Sequence, residues 1–184
     1  NRVSSASLPK VCNCVLRFDH ISIEQGLSQN SVRVIFQDSI GFLWFGTEDG
    51  LNRYDGYNFK TFKPDPDAIN SLSDRVITSI TEDRDGYLWI GTRQGGLNRY
   101  DPRSEQFMIY RHDKGNPSSI SDDHINVLYL DNNDNLWVGT EQGLDFYDRN
   151  SGVFTRYSYN PFVPDSLTGK SVSAIMQDSR GRFW

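Results

Sequence analysis

Three pairs of polar side chains differ in charge at one recurring place in this chain: Glu48 and Asp49, Arg93 and Gln94, Glu141 and Gln142, each just after a Gly-Thr dipeptide. Carboxylates, amides and a lone guanidinium on a loop can orient a polar ligand by hydrogen bonds. Arg93 stands among acidic counterparts, and its planar fork suits it to pair with a ligand carboxylate. These six residues are the ligand-binding candidates. Two facing carboxylates could instead hydrolyse a glycosidic bond at a suitable separation. With 24 acidic residues in the chain such pairs arise by chance, and no G-x-S-x-G, HExxH or Ser/His/Asp grouping is present, so no catalytic residue is assigned. The acidic turns at 83–86 and 131–134 lack the longer ligand series of a calcium loop. His20, His112 and His124 have no metal-ligand spacing with Cys12 and Cys14, and those two cysteines, one residue apart, could bond only with strain. No metal and no cofactor is expected.

Loop side chains need a scaffold, and a second set of residues specifies it. Trp44, Trp89, Trp137 and Trp184 stand 45, 48 and 47 residues apart, each the sixth residue after an aspartate: Asp38, Asp83, Asp131 and Asp178. Self-similarity of that period marks a stack of sheet-forming units. Each unit opens with a short run rich in Val and Ile, SVRVIFQD from Ser31, RVITSITED from Arg75, HINVLYLD from His124 and SVSAIMQD from Ser171, which predicts a buried strand. An Asp-headed turn follows, ending in Gly or, once, Asp134. A second strand then carries the tryptophan in Leu-Trp-x-Gly-Thr, with Gly46, Gly91 and Gly139. The third reads GLNRYD, GLNRYD and GLDFYD, and the fourth bears two aromatics three residues apart: Phe59 and Phe62, Phe107 and Tyr110, Phe154 and Tyr157. Four short strands per repeat predict an all-β protein made of β-propeller blades. Their recurrence assigns the tryptophans, aspartates and glycines to structure rather than to sugar stacking.

The same spacing predicts blade 1 at 31–74, blade 2 at 75–123, blade 3 at 124–170 and the start of a fourth at 171–184. An apolar residue recurs in each polar connection, at Leu72, Ile120 and Leu167. Counting backwards through Leu27, Phe18 and Val15 makes 15–30 the outer strand of a closing blade plus its connection, after an irregular 1–14. About three and a half four-stranded antiparallel blades do not close a ring of four to eight. The expectation is a β-propeller fragment of a longer protein, or a ring assembled from copies, with an exposed edge at 171–184. A net charge of -5 argues against a nucleic-acid partner. No run approaches the ~20 apolar residues of a membrane helix.

The unit D-x-x-G-x-L-W-[FIV]-G-T-x-x-G-L-x-x-Y-D resembles the two-component regulator propeller repeat, over residues 15–184, with the register shared by three copies. Its Asp stands three residues before the Gly rather than two as in the sialidase Asp-box, and it lacks the Trp-Asp dipeptide of Trp-Asp repeats and the Ala-x-Asp-x-x-Thr-Gly of quinone-cofactor propellers. The resemblance implies the N-terminal part of the periplasmic sensor of a hybrid histidine kinase from a Bacteroides-type bacterium. It also implies an oligosaccharide ligand, a homodimer, and a membrane helix and kinase outside these 184 residues. The alternatives are a carbohydrate-active propeller enzyme and a protein-interaction propeller without a small ligand.

Overall fold

Short β-branched and aromatic runs, punctuated by Asp- and Gly-bearing turns, fold here as hairpins laid side by side. The computed structural model describes residues 20–184. Cys12, Cys14 and the strand expected at 15–18 lie outside them. The first sheet holds β1 (Val32–Gln37), β2 (Leu43–Thr47), β3 (Gly50–Tyr54) and β4 (Phe59–Phe62). The second holds β5 (Ile77–Glu82), β6 (Leu88–Thr92), β7 (Leu97–Asp101) and β8 (Gln106–Tyr110). The third holds β9 (Ile125–Leu130), β10 (Leu136–Thr140), β11 (Leu144–Asp148) and β12 (Val153–Tyr157). All three are antiparallel meanders in chain order. Neighbouring sheets approach closest through β1, β5 and β9, so these strands are innermost and β4, β8 and β12 form the outer rim.

Strand geometry explains the paired aromatics. Successive side chains point to opposite faces, so residues three apart on one strand serve two different seams. Phe62 stacks on Trp44 across the sheet at 5.8 Å and meets Tyr100 and Phe107 of the second blade at 5.3 and 5.8 Å. Phe59 faces the other way, against Phe45 and Tyr54. The next seam repeats the set, with Trp89 and Tyr110 against Tyr147 and Phe154. Leu72 and Ile120, from the connections, complete the two cores and are fully buried.

Two small residues let the sheets close up. A Cβ on Gly46 would stand 2.6 Å from Ile77 Cγ2, and one on Gly91 would stand 2.7 Å from Ile125 Cγ2, each in the following blade. The glycine of Leu-Trp-x-Gly-Thr is therefore a contact point between blades. The threonine beside it fixes the next turn: Thr47 Oγ1 donates to Gly50 O at 2.9 Å and accepts from Asp49 N at 3.0 Å.

The fourth repeat departs from expectation. Residues 171–178 form no buried strand; Met176 and Trp184 exchange backbone hydrogen bonds, and Gln177 and Phe183 form one bridge, too short a ladder for a sheet. Trp184, assigned with the other tryptophans to a blade core, is 68% exposed, because among the described residues no sheet lies over it. Trp44 and Trp89, each sandwiched in a complete seam, are 1% exposed.

Candidate functional site

The six loop candidates all follow the Gly-Thr dipeptide, in the turns that join the second and third strands of each blade. Those turns share one face of the stack with the connections between blades. Gly50 N donates to Arg75 O at 2.7 Å and Gly96 N to Asp123 O at 3.0 Å, tying each turn to the chain entering the next blade. Loops fixed in this way on a rigid sheet are suited to recognition.

Three of these six side chains already have local partners, and the two glutamines are held through their backbone. Glu48 pairs with Arg33 at 2.9 Å and Asp49 with Lys63 at 2.6 Å. Glu141 Oε1 accepts from Asn126 Nδ2 at 3.0 Å. Gln94 N donates to Asp74 Oδ2 at 2.8 Å, and Gln142 N donates to Thr140 Oγ1 at 3.1 Å. Arg93 is held by its backbone, whose N–H donates to Val76 O at 3.1 Å; its side chain is half-buried and has no carboxylate within ion-pair distance among the described residues. Each pair of candidates sits on its own blade. None lines the cleft of about 570 Å³ at the outer rim of the second blade, whose walls include Tyr87, Arg99, Gln106 and Met108.

Beneath the turns runs a polar network that position-by-position reading of the sequence did not find. Asn52 Oδ1 accepts from Ser28 N at 3.0 Å while its amide donates to Ser28 Oγ at 2.8 Å. Asn98 does the same with Ser73. In blade 3 the residue is Asp145, fully buried, whose Oδ2 accepts from both Ser121 N and Ser121 Oγ and whose Oδ1 has no partner. Burial raises its carboxyl to about 6, although bonds from Ser121 and the charges of Arg156 and His112 pull the other way. The break in GLNRYD, GLNRYD, GLDFYD was visible as a sequence signal; its burial was not.

Three meanders, packed face to face about their first strands, are blades of a β-propeller. The signature of the two component regulator propeller family matches residues 26–49, 71–94 and 119–142, so each blade carries one stretch that matches this repeat. It is 30% identical, with a TM-score of 0.81 over 90% of its length, to the extracellular domain of a putative hybrid two component system of B. thetaiotaomicron, covering 23% of that chain. Against the extracellular domain of a second such system of B. thetaiotaomicron the values are 27% and 0.70, over 87% of this chain and 21% of that one. Histidine kinase P4 of Formosa agariphila is 54% identical over 48 residues, 26% of this chain and 4% of that protein. The chain thus spans less than a quarter of the length of each of these relatives.

Proposed function

We propose that this propeller segment belongs to the extracytoplasmic sensor part of a hybrid two-component system. In this reading it resides in the periplasm, responds to an oligosaccharide and signals across the membrane, through a homodimer, to a histidine kinase. The observation that carries the reading is the 30% identity over 90% of the chain to the extracellular domain of a putative hybrid two component system. The architecture supports it physically. Two fully packed aromatic seams make a stiff body, and a ligand can bias a sensor only through differential contacts that such a body passes on. The segment acts by binding rather than by chemistry.

Thermal unfolding of the chain in the presence of a panel of neutral and acidic oligosaccharides tests this. Binding to the folded state raises Tm, by a stabilisation of about 2.7 kcal/mol at a hundredfold excess over Kd. At least one oligosaccharide is expected to raise Tm and to be recovered uncleaved. A flat response across the panel favours a protein-interaction propeller, and release of shortened sugars favours an enzyme.

A further inference from the structure

The seam between blades 1 and 2 and the seam between blades 2 and 3 share one plan, and among the side chains that differ at the outer rim are three around one arginine. In the first, Arg53 stands across the sheet from Lys60, and its guanidinium lies 4.8 Å from the ring of Phe42. Glu105, reaching back from the second blade, pairs with Arg53 at 3.6 Å and with the Lys60 ammonium. In the second seam the corresponding residues are Arg99, across from Met108, and Tyr87, whose ring lies 3.6 Å from the guanidinium.

The counterpart of Glu105 is Gly152. Their turns superpose bond for bond: Glu105 N donates to Asp101 O and Gly152 N to Asp148 O, both at 2.8 Å, and Ser104 and Ser151 donate to Asp101 and Asp148. Both residues are left-handed, Glu105 at φ 57° and Gly152 at φ 73°. A side chain larger than hydrogen is costly in that region, and at 105 the contacts of the carboxylate with Arg53 and Lys60 offset that cost.

Gly152 supplies no carboxylate, and Arg99 has none within ion-pair distance among the described residues. Its Nε is buried without a hydrogen-bond partner. A guanidinium with an unpaired buried donor is an unfavourable state that a ligand anion relieves. Arg99 lines the rim cleft of about 570 Å³, together with Tyr87, Met108, Gln106, Ser104 and Asp101. Asp101 is committed elsewhere: its oxygens accept from Arg103 N at 2.9 Å and Ser104 Oγ at 3.0 Å.

We propose that this cleft binds a small carboxylate-bearing ligand, whose carboxylate takes beside Arg99 the place that Glu105 takes beside Arg53. Tyr87 and Met108 form the apolar wall for the ligand's body, and Gln106 and Ser104 offer hydrogen bonds to its other polar groups. The site lies at the opposite end of β7 from Arg93 and Gln94. It holds whether or not the chain signals.

The test is titration of the full chain with succinate and with D-glucuronate, using D-glucose as the uncharged control and following the Arg Nε–Hε signals by NMR. Both carboxylates are expected to shift the Arg99 signal saturably, and glucose is not. Arg99→Gln removes the guanidinium and is expected to weaken succinate binding, read from backbone amide shifts of Met108 and Gly152, about tenfold or more. Gly152→Glu keeps Arg99 and delivers a tethered carboxylate in a conformation Glu105 already adopts, so it is expected to block binding without loss of fold. Glu105→Gly is expected to open a second saturable site at Arg53. Absence of a saturable Arg99 shift, an equal response to glucose, or undiminished binding in Gly152→Glu would overturn the proposal.

Discussion

The indole N–H of Trp44 donates to Asp38 Oδ2 at 2.8 Å, while Asp38 Oδ1 accepts the backbone N–H groups of Ile40, Gly41 and Phe42. One carboxylate thus closes the first hairpin and anchors the core tryptophan of the blade. The same bond recurs between Asp83 and Trp89 at 2.8 Å, Asp131 and Trp137 at 3.1 Å, and Asp178 and Trp184 at 3.2 Å. The turn folds the sixth residue back over the first, which accounts for the constant spacing.

Removing that carboxylate should cost much where the pair is buried and little where it is not. Asp38→Ala leaves the Trp44 N–H and the turn N–H groups of Ile40 and Phe42 without their acceptor, while Gly41 N keeps Asp38 O, in a core where Trp44 is 1% exposed. A loss of about 2 to 4 kcal/mol is expected from urea unfolding. Asp178→Ala, beside a tryptophan 68% exposed, should change stability by less than about 0.5 kcal/mol.

Gly91→Ala should loosen the seam between blades 2 and 3. The added methyl would stand 2.5 Å from Ser79 Oγ and 2.7 Å from Ile125 Cγ2, so one blade must move, at a cost of about 1 to 3 kcal/mol. Gly115→Ala serves as the control, since its nearest neighbour is a side-chain oxygen at 3.4 Å and its φ is not positive. Thermal unfolding of the two variants should separate them clearly.

The seams also depend on the connections. Leu72, 1% exposed, fills the core between blades 1 and 2. Leu72→Ala is expected to cost about 2 to 5 kcal/mol by lost burial and a residual cavity. Leu167→Ala, at the half-buried equivalent, should cost visibly less in the same chemical-denaturation experiment.

Asp145 sets a pH dependence whose sign follows from the direction of its shift. Burial pushes its carboxyl up to about 6 in the folded chain, above the ordinary aspartate range, so the folded state holds the proton more tightly than the unfolded one. The stability it confers is fully present below about pH 4 and is lost as pH rises through about 6. Asp145→Asn restores the side chain that Asn52 and Asn98 use toward their serines, and it removes the charge. The variant should be more stable than the parent chain at pH 8, by on the order of 2 kcal/mol, and no more stable at pH 4. Equal stabilities at pH 8 would contradict this.

Much of the architecture is legible in the sequence because its causes are local. Val and Ile runs, Asp-headed turns and glycines at left-handed positions each act within a few residues, so the strand order of the three sheets could be read from them. The bond from Asp38 to Trp44 was latent in a spacing of six but depends on how the turn closes. The neighbours of Gly46 and Gly91 lie in the following blade, 31 and 34 residues on, and single-repeat reading cannot see them. The exposed edge expected at 171–184 is present, but the strand expected at 171–178 and the core place expected for Trp184 are not, because both depend on a neighbouring sheet. For the loop candidates, the positions of Glu48 and Asp49 were legible, but their ion pairs with Arg33 and Lys63 were not. Arg99 was overlooked because its repeat matches Arg53 letter for letter. The difference lies in Gly152, on another blade.

The sensor reading is tested most directly by sequencing the gene that encodes this chain through to its stop codon. Further Leu-Trp-x-Gly-Thr repeats, then a membrane-spanning helix, then a histidine kinase domain are expected in the same reading frame. A frame that ends with neither a membrane helix nor a kinase would contradict it.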